Sequence, residues 1–294
     1  MLTCTFVPQW PDGDGKLANK DVTLGPLHAS GAKALSTGTA VDRRRPAQPR
    51  FATLRRDSWW RAPLVSFVVL VGFVVYGSWV AFANEHYFTD PYLSPFYSPC
   101  LASNCAHQTL PVIGDWWTLS PALLILPFPL GFRLTCYYYR KAYYRSFWLS
   151  PPACAVTEPH RRYTGETRFP LILQNIHRYF FYAAIPFPII LFIDGVRAFS
   201  FPDGFGMGLG TVILLANAAL LGAYTISCHS CRHLCGGYVD VLSEAPRRAK
   251  LWRFVSRLNI RHGEIAWVSL FGVALTDIYV RLVSMGVIDD PRLF

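Results

Sequence analysis

Two uncharged apolar runs, residues 62–83 and 204–228, constrain this chain more than any other feature of its sequence. Each is long enough to form a helix that crosses the hydrocarbon core of a bilayer, which is about 30 Å thick. Inside hydrocarbon every backbone amide needs a hydrogen bond within the protein, so such a run is expected to be helical. Because 52% of the 294 residues are hydrophobic and only 16% are charged, the composition is that of an integral membrane protein.

Three further apolar runs contain only isolated charges, and we read them as additional spans. The sequence therefore predicts an all-α integral membrane protein with five transmembrane helices in an anchor domain over 58–288. The other predicted segments are an N-terminal arm at 1–57, an outer loop at 84–116 and an outer tail at 289–294. The five predicted spans are about 62–83, 117–140, 169–193, 204–228 and 265–287.

The basic residues predict the orientation of the helices. Residues 1–61 hold ten Lys and Arg, and 133–168 and 232–264 hold seven each, whereas 84–118 hold none. Since basic residues are enriched in cytoplasmic loops, the N-terminus is expected in the cytoplasm and the C-terminus outside. The basic collar on the cytoplasmic side would suit anionic lipid or an acidic partner, although it could also serve only as a topology signal.

The cysteines divide between the two predicted sides. Cys100 and Cys105 lie in the outer loop, where an oxidising exterior favours a disulfide between them. The other cysteines fall on the reducing side, where clustered cysteines more often bind metal. A disulfide is therefore expected between Cys100 and Cys105, and a metal site among the remaining cysteines.

The end of the fourth predicted span, CHSCRHLC at 228–235, is rich in soft metal ligands. If the helix continues at about 100° per residue, His229 and His233 share one face and Cys228 faces elsewhere. Thiolates for a mixed site would then come from Cys136 and Cys154, on the same predicted side of the membrane. We expect a centre ligated by Cys136, Cys154, His229 and His233, with Cys228 and His177 as alternates.

Two Cys and two His admit three kinds of site. The first is structural zinc. The second is a Rieske-type [2Fe-2S] cluster, which takes two Cys on one iron and two His on the other. The third is haem b held by His177 with His229 or His233, without the thiols.

An aromatic and basic stretch, YYYRKAYYRSFW at 137–148, follows the second predicted span. It is either an interfacial aromatic belt or part of a quinone pocket, which needs aromatic walls and hydrogen-bond donors. The location at the end of a span argues against nucleic acid as a partner. The candidate quinone-binding residues are Tyr139, Tyr143, Arg145, Trp148 and, from the last cytoplasmic loop, Trp252.

Asp277 and Arg281 lie four residues apart within the fifth predicted span. At this spacing they share a helix face and can form an intramembrane ion pair, which lowers the cost of burying both charges. The pair would either fix the packing of the helices or form part of a proton route.

Several stretches together resemble the single-chain membrane anchor of actinobacterial succinate dehydrogenase, respiratory complex II. The resemblance covers roughly residues 58–282 and is carried by TCYYYRKAYYRSFW, PPACAV, NIHRYFFY, CHSCRH and WVSLFGVALTDIYVRL. It implies a bacterial plasma-membrane protein, a flavoprotein that oxidises succinate, and an iron–sulfur subunit docked on the cytoplasmic face. It also implies menaquinone as the electron acceptor.

The common anchors of this class hold two haems between histidines at two depths, whereas His177, His229 and His233 all lie toward one side here. This departure favours a Rieske-type centre that passes electrons from the soluble subunits to quinone. The alternatives are a haem b quinone anchor of a related fumarate or heterodisulfide-type reductase, and a zinc-stabilised scaffold without redox activity.

Overall fold

The computed structural model describes residues 51–100, 105, 110–111, 118–159 and 166–294, and the N-terminal arm predicted at 1–57 lies largely outside them. The described chain is mainly helical, with three two-stranded antiparallel hairpins of two residues per strand. The ten α-helices are α1 Arg61–Ala83, α2 Pro121–Ile125, α3 Pro127–Thr135, α4 Tyr137–Tyr143, α5 His177–Ala184, α6 Pro186–Arg197, α7 Leu209–Ile226, α8 His229–Gly236, α9 Pro246–Ile260 and α10 His262–Ser284.

Short elements connect these helices. A π-helical turn, Tyr144–Trp148, follows α4, and 3-10 turns at Leu171–Ile176 and Leu242–Glu244 precede α5 and α9. The hairpins are β1 Phe88–Thr89 with β2 Tyr92–Leu93, β3 Leu110–Pro111 with β4 Thr118–Leu119, and β5 Ser200–Phe201 with β6 Gly204–Phe205.

Four helical segments of the described chain are long and apolar enough to cross a membrane: Arg61–Ala83, Leu171–Arg197, Leu209–Ile226 and His262–Ser284. They correspond to four of the five predicted spans. The predicted fourth span starts later than expected, at Leu209, because Gly204 and Phe205 form a hairpin strand instead. The predicted second span, 117–140, is divided among α2, α3 and α4. Helix α3 begins at Pro127, and the backbone leaves helical geometry at Cys136, between α3 and α4.

The helices define two ends of the bundle. The proximal end is where α1 and α10 begin and α7 ends, and the distal end is where α1 and α10 end and α7 begins. Helices α7 and α10 pack side by side in opposite directions. Tyr224 lies against His262 near the proximal end, and Leu214 and Val280 belong to the same group of buried apolar side chains near the distal end. By the count of basic residues, the proximal end is the one expected to face the cytoplasm.

Small residues allow the helices to approach closely, as is usual in membrane bundles. At Gly195 of α6 an added Cβ would lie 2.7 Å from Cδ2 and 3.4 Å from the backbone nitrogen of Leu215 on α7. At Gly72 of α1, by contrast, an added Cβ would meet nothing within 4 Å. The α6–α7 crossing therefore depends on glycine, whereas Gly72 does not form a close crossing.

Asp290 ties the C-terminal tail to the distal end. Its carboxylate accepts hydrogen bonds from the hydroxyls of Tyr92 (2.6 Å) and Tyr279 (2.5 Å) and from the backbone N–H of Gly210 (2.8 Å). The backbone N–H of Leu209 also donates to the Pro291 carbonyl, at 3.1 Å. The tail thereby covers the first turn of α7.

A Gly195→Val substitution tests the close crossing. The new side chain overlaps Leu215, and overpacking of this kind costs about 1–3 kcal/mol. We expect a lower apparent melting temperature of the purified complex in detergent. Gly72→Val is the matched control, since its side chain enters open space. Equal melting temperatures for the two variants would contradict the proposed tight contact between α6 and α7.

Candidate functional site

Two helical segments of the bundle break at a cysteine. Cys136 separates α3 from α4 and Cys228 separates α7 from α8, and both have extended backbone (φ −65°, ψ 131° and φ −62°, ψ 145°). Both residues are almost fully buried, with 2% and 1% of their surface exposed. Broken helices in membrane proteins are tolerated where protein or a cavity pairs the freed backbone groups, and they often form binding sites.

Two histidines at the starts of helices face these cysteines. His177 opens α5 and His262 opens α10. The Nε2 atom of His177 lies 3.1 Å from the Cys228 sulfur, and Nε2 of His262 lies 3.5 Å from the Cys136 sulfur. We call these four residues the Cys–His centre. It brings four separate elements together at the proximal end.

The opposite nitrogen of each imidazole is held by a hydroxyl. Nδ1 of His177 lies 2.8 Å from Thr135 Oγ1, and Nδ1 of His262 lies 2.7 Å from Ser227 Oγ. Each hydroxyl donates its own proton to a backbone carbonyl, of Gly131 and Tyr224 respectively. It must therefore accept from the Nδ1–H of its histidine. This network leaves a lone pair on each Nε2, directed at a sulfur, which is the tautomer that can ligate a metal there.

The contacts of the centre are crossed. At the first break, the Thr135 hydroxyl holds His177 and the Cys136 sulfur contacts His262. At the second break, the Ser227 hydroxyl holds His262 and the Cys228 sulfur contacts His177. Aromatic rings cover both imidazoles: Phe132 stacks on His177 with centroids 5.0 Å apart, and Tyr224 stacks on His262 at 5.1 Å. The donors are thus oriented, and one face of each imidazole is covered by an aromatic ring.

The side chains of the centre contact one another in pairs. Among the residues that the structure describes, no group of three or more His, Cys, Asp or Glu side chains is arranged around a single point to hold a metal ion. The arrangement offers two thiols and two imidazoles, which are soft to borderline donors suited to zinc or iron.

The structure changes the set of ligand candidates. Cys136 and both alternates, Cys228 and His177, belong to the centre. Cys154 follows the π-helical turn, and its backbone carbonyl accepts a hydrogen bond from Arg55 (2.9 Å). Its place among the expected ligands stays a prediction.

His229 and His233 lie outside the centre, on α8. The expected ligand set assumed that one helix continues through residue 235, but the break at Cys228 turns that cysteine inward and starts a new helix. His233 instead contacts the ring of Tyr238, with centroids 5.9 Å apart. Burial, together with the nearby Arg232 and His233, lowers the pKa of His229 from its ordinary value.

His262 belongs to the centre but was not among the ligands predicted from the sequence. The last span was predicted to start at Ile265, which left His262 in a polar loop, whereas α10 begins at His262 with Glu264 in its first turn. Only 1% of the His262 surface is exposed. The available signal was a histidine one helical turn before an apolar run on the side that holds the free cysteines.

A cavity of about 300 Å³ extends from the centre toward the distal end. Its walls are mostly aliphatic and aromatic, and among the described residues that line it Arg133 is the single charged side chain. Tyr224 also lines it, and its buried hydroxyl has no hydrogen-bond partner in the described structure. Other lining residues include Phe73, Phe96, Leu126, Phe132, Leu191 and Val273.

Arg133 is buried at the boundary between the cavity and the centre. Its guanidinium donates to the Ala266 carbonyl (3.3 Å), the Ser269 hydroxyl (3.2 Å) and the Tyr139 hydroxyl. It also lies over the Tyr224 ring, 4.8 Å from the centroid. Within the part of the chain that the structure describes, Arg133 has no ion pair with a carboxylate, so its charge is balanced only by dipoles and ring faces.

The residues expected to bind quinone do not line this cavity. Tyr139 is buried and donates to the Ala266 carbonyl (2.6 Å), and Tyr143 donates to the Leu134 carbonyl (3.0 Å). The rings of Tyr143 and Trp148 are in contact, and Arg145 lies in the same π-helical turn as Trp148. Trp252 lies on α9, against Arg232.

Two further predicted features lie toward the distal end. Cys100 and Cys105 form a disulfide. Asp277 and Arg281 form a buried ion pair in which Nε of Arg281 lies 2.9 Å from the carboxylate. The hydroxyls of Tyr76 and Ser94 also donate to Asp277, and Arg281 donates to the Glu85 carbonyl (2.6 Å). The pair therefore joins α10 to α1 and to the loop after it.

The fold and the site define a membrane-spanning helical subunit with a buried Cys–His centre at one end. A sequence profile for the actinobacterial succinate dehydrogenase subunit SdhC matches residues 61–286. A chain in a solved structure, the Mycobacterium smegmatis Sdh1 complex in the apo form, is 50% identical with a TM-score of 0.77. The match covers 85% of this chain and 97% of that one. None of the curated proteins compared with the chain matches it significantly.

This chain belongs to the SdhC family of actinobacterial succinate dehydrogenase membrane subunits. It is a subunit of a succinate:quinone oxidoreductase, which implies other Sdh subunits as partners and the bacterial plasma membrane as its location. The resemblance noted in the sequence is thereby confirmed at the level of the family.

Proposed function

We propose that this subunit passes electrons from its soluble partners to a membrane quinone through a Rieske-type [2Fe-2S] centre held by Cys136, Cys228, His177 and His262. The observation that carries the proposal is the pair of crossed cysteine–histidine contacts, in which a hydroxyl holds each Nδ1–H and the lone pair of each Nε2 is directed at a sulfur. Two thiolates and two neutral imidazoles are the ligand set of such a cluster.

The donor set fits a two-iron centre in its chemistry and its burial. Each sulfur–nitrogen distance is that of a direct contact, so the side chains would separate to hold the group. The hydroxyls of Thr135 and Ser227 would keep both rings oriented by accepting from each Nδ1–H, as hydrogen-bond partners of metal-binding histidines do. Haem b is less well supported, because Nε2 of His177 is directed at the Cys228 sulfur.

The bound cluster would supply one-electron transfer, and the protein around it would set the conditions for that transfer. Phe132 and Tyr224 each cover one face of an imidazole. Arg133 places a positive charge beside Tyr224, where it would favour added negative charge on the proximal side of the cavity.

The cavity beyond Tyr224 is our proposed quinone site, in place of the aromatic stretch at 137–148. Its volume and apolar walls suit a flat ring with a hydrocarbon tail. The guanidinium of Arg133 and the unpartnered hydroxyl of Tyr224 are donors for a quinone carbonyl. Because Tyr224 stacks directly on His262, the site lies next to the centre. We propose menaquinone as the occupant.

The proximal end is our proposed docking surface for the iron–sulfur subunit, which would link this chain to the succinate-oxidising flavoprotein. Helix α9 exposes both basic and apolar side chains there. A surface that combines positive charge with apolar area suits an acidic soluble partner. The exposed residues of α9 are Pro246, Arg247, Arg248, Lys250, Leu251, Arg253, Phe254, Arg257 and Ile260.

Replacing His177 and His262 by alanine tests the centre. In the purified complex we expect loss of a Rieske-type EPR signal, loss of two iron atoms per complex and loss of quinone reduction. Succinate-dependent reduction of a soluble dye should persist, because it draws electrons before the membrane. His233→Ala is the control and should keep the signal. Normal iron content with normal quinone reduction in the double variant, or zinc in place of iron in the wild type, would refute the centre.

Removing the hydroxyl that holds His262 should weaken the centre without deleting a ligand. We expect Ser227→Ala to lower the iron affinity about 10- to 100-fold, the usual effect of removing the hydrogen-bond partner of a metal-binding histidine. Iron release to a chelator measures this. Ser284→Ala, which removes a hydroxyl bonded to the Phe88 carbonyl at the distal end, is the control. Equal release from both variants would argue against Nε2 ligation by His262.

Tyr224→Phe separates the cavity from the aromatic stretch as the quinone site. It keeps the stacked ring and removes one donor, so the KM for quinone should rise about three- to tenfold, the value of one hydrogen bond. Tyr143→Phe should leave the KM unchanged. The reverse pattern would return the quinone site to the residues first expected from the sequence.

A further inference from the structure

Asn217 is a buried amide without a partner in the middle of the bundle. Only 1% of its surface is exposed, and neither Oδ1 nor Nδ2 makes a hydrogen bond in the described structure. Leaving such a group unpaired costs about 1–3 kcal/mol, so buried amides nearly always have a partner, and ordered water commonly fills that role. Asn217 therefore marks a place where internal water is needed.

Asn217 lies along the seam of α7 and α10 between two groups of polar side chains. One is Arg133 with Ser269 beside the cavity. The other, which we call the distal cluster, is Asp277, Arg281, Tyr76 and Ser94. Its Oδ1 is 3.8 Å from the position that a Cβ of Gly272 would occupy. Ser269 and Thr276 lie three and four residues from Gly272 on the same face of α10, about 4.5 and 6 Å along the helix axis. Ser269 accepts from Arg133 at the cavity, and Thr276 adjoins Asp277.

The distal cluster reaches the surface. The Asp277 carboxylate faces the hydroxyls of Tyr76 on α1 and Ser94 in the following loop, and the guanidinium of Arg281 on its own helix. Arg281 donates to the Glu85 carbonyl, and the Glu85 and His86 side chains are exposed at that end. Tyr97, which is buried nearby, donates to the Val80 carbonyl.

The distal cluster also lies behind the wall of the cavity. Gly77, Pro95 and Phe96 line the cavity and adjoin Tyr76 and Ser94 in the chain. Val273, one helical turn before Asp277, lines it as well. A carboxylate, hydroxyls and an amide thus follow one another from the distal surface to the Arg133 end of the cavity.

We propose that these residues form a proton route from the distal side of the membrane to the quinone cavity, running from Asp277 through water held at Asn217 to the cavity beside Arg133 and Tyr224. This inference rests on the proposed function, since it assigns the source of the protons that quinone reduction consumes. Packing does not explain why a polar residue, Asn217, lies within an apolar helix, whereas the proton route gives it a role.

The reaction balances without a further reagent. Oxidation of succinate to fumarate releases two electrons and two protons at the soluble subunits. Reduction of a quinone to a quinol takes up two electrons and two protons and forms two O–H bonds. Asp277 takes each proton from distal water, passes it toward the cavity and returns to the ionised form that Arg281 stabilises.

The direct test is the sidedness of proton uptake by the wild-type complex in proteoliposomes. Each compartment is monitored with a pH indicator, and the orientation is established by protease access to the proximal end. With succinate and a quinone, uptake of two protons per quinone from the distal compartment supports the route. Uptake from the proximal compartment overturns it.

Asn217→Leu tests the route in the chain itself. The substitution is close in size and removes an unpaired polar group, so the complex should remain folded. We expect quinone reduction to fall at least tenfold and its solvent deuterium isotope effect to increase, while succinate–dye reduction and the EPR signal stay unchanged. A wild-type rate in this variant contradicts the route.

Asp277→Asn should slow quinone reduction in the same way, and Asp194→Asn is its matched control. Asp194 is a carboxylate toward the distal end that also accepts from a loop hydroxyl, that of Ser98, and pairs with a nearby arginine, Arg197, but it lies on α6 away from the seam. Equal effects of the two substitutions argue against a specific route. If the wild-type complex reduces the dye but no quinone, the proposed function fails as well; normal quinone reduction with proximal uptake refutes only the route.

Discussion

The contact of two buried thiols with two imidazoles at breaks in two helical segments is the arrangement on which the rest of this structure depends. A break inside a membrane bundle exposes backbone groups, and a buried thiol or imidazole without a partner destabilises the fold. Here the crossed contacts, with a hydroxyl on each Nδ1, satisfy all four side chains. They also bring α3, α5, α7 and α10 together at the proximal end.

Burial of charge organises the rest of the bundle. Arg133 is held by dipoles and rings beside the centre, whereas Arg281 pairs with Asp277 toward the distal end. Between these two cations the α7–α10 seam carries the unpaired Asn217. The polar groups thus lie along one side of an apolar cavity, from the centre to the far surface. This distribution accounts for both proposals, electron delivery at one end of the cavity and proton delivery from the other.

Much of this was predictable from sequence, and the differences arise where a helix starts or breaks at a particular residue. Apolar runs located four spans, because a chain that crosses hydrocarbon must be helical. The expected side of the membrane predicted a disulfide between Cys100 and Cys105 and made Cys136 a candidate ligand. Helical periodicity assumes an unbroken helix, so it predicted that Cys228 faces away from the ligand site and that His233 is a ligand. The apolar run begins only at Ile265, so hydropathy placed the start of the last span three residues too late and left His262 in a loop. Breaks at single residues are set by tertiary contacts, which no local pattern encodes.

The central claim is that Nε2 of two histidines, and not Nδ1, binds the metal centre. Pulsed EPR on the reduced complex, with histidine labelled by ¹⁵N at one ring position, measures which nitrogen couples to the unpaired electron. The account predicts two strongly coupled nitrogens that change isotope with the Nε2 label and disappear in a His177→Ala, His262→Ala double variant. Coupling that follows the Nδ1 label, or that persists in the double variant, would contradict it.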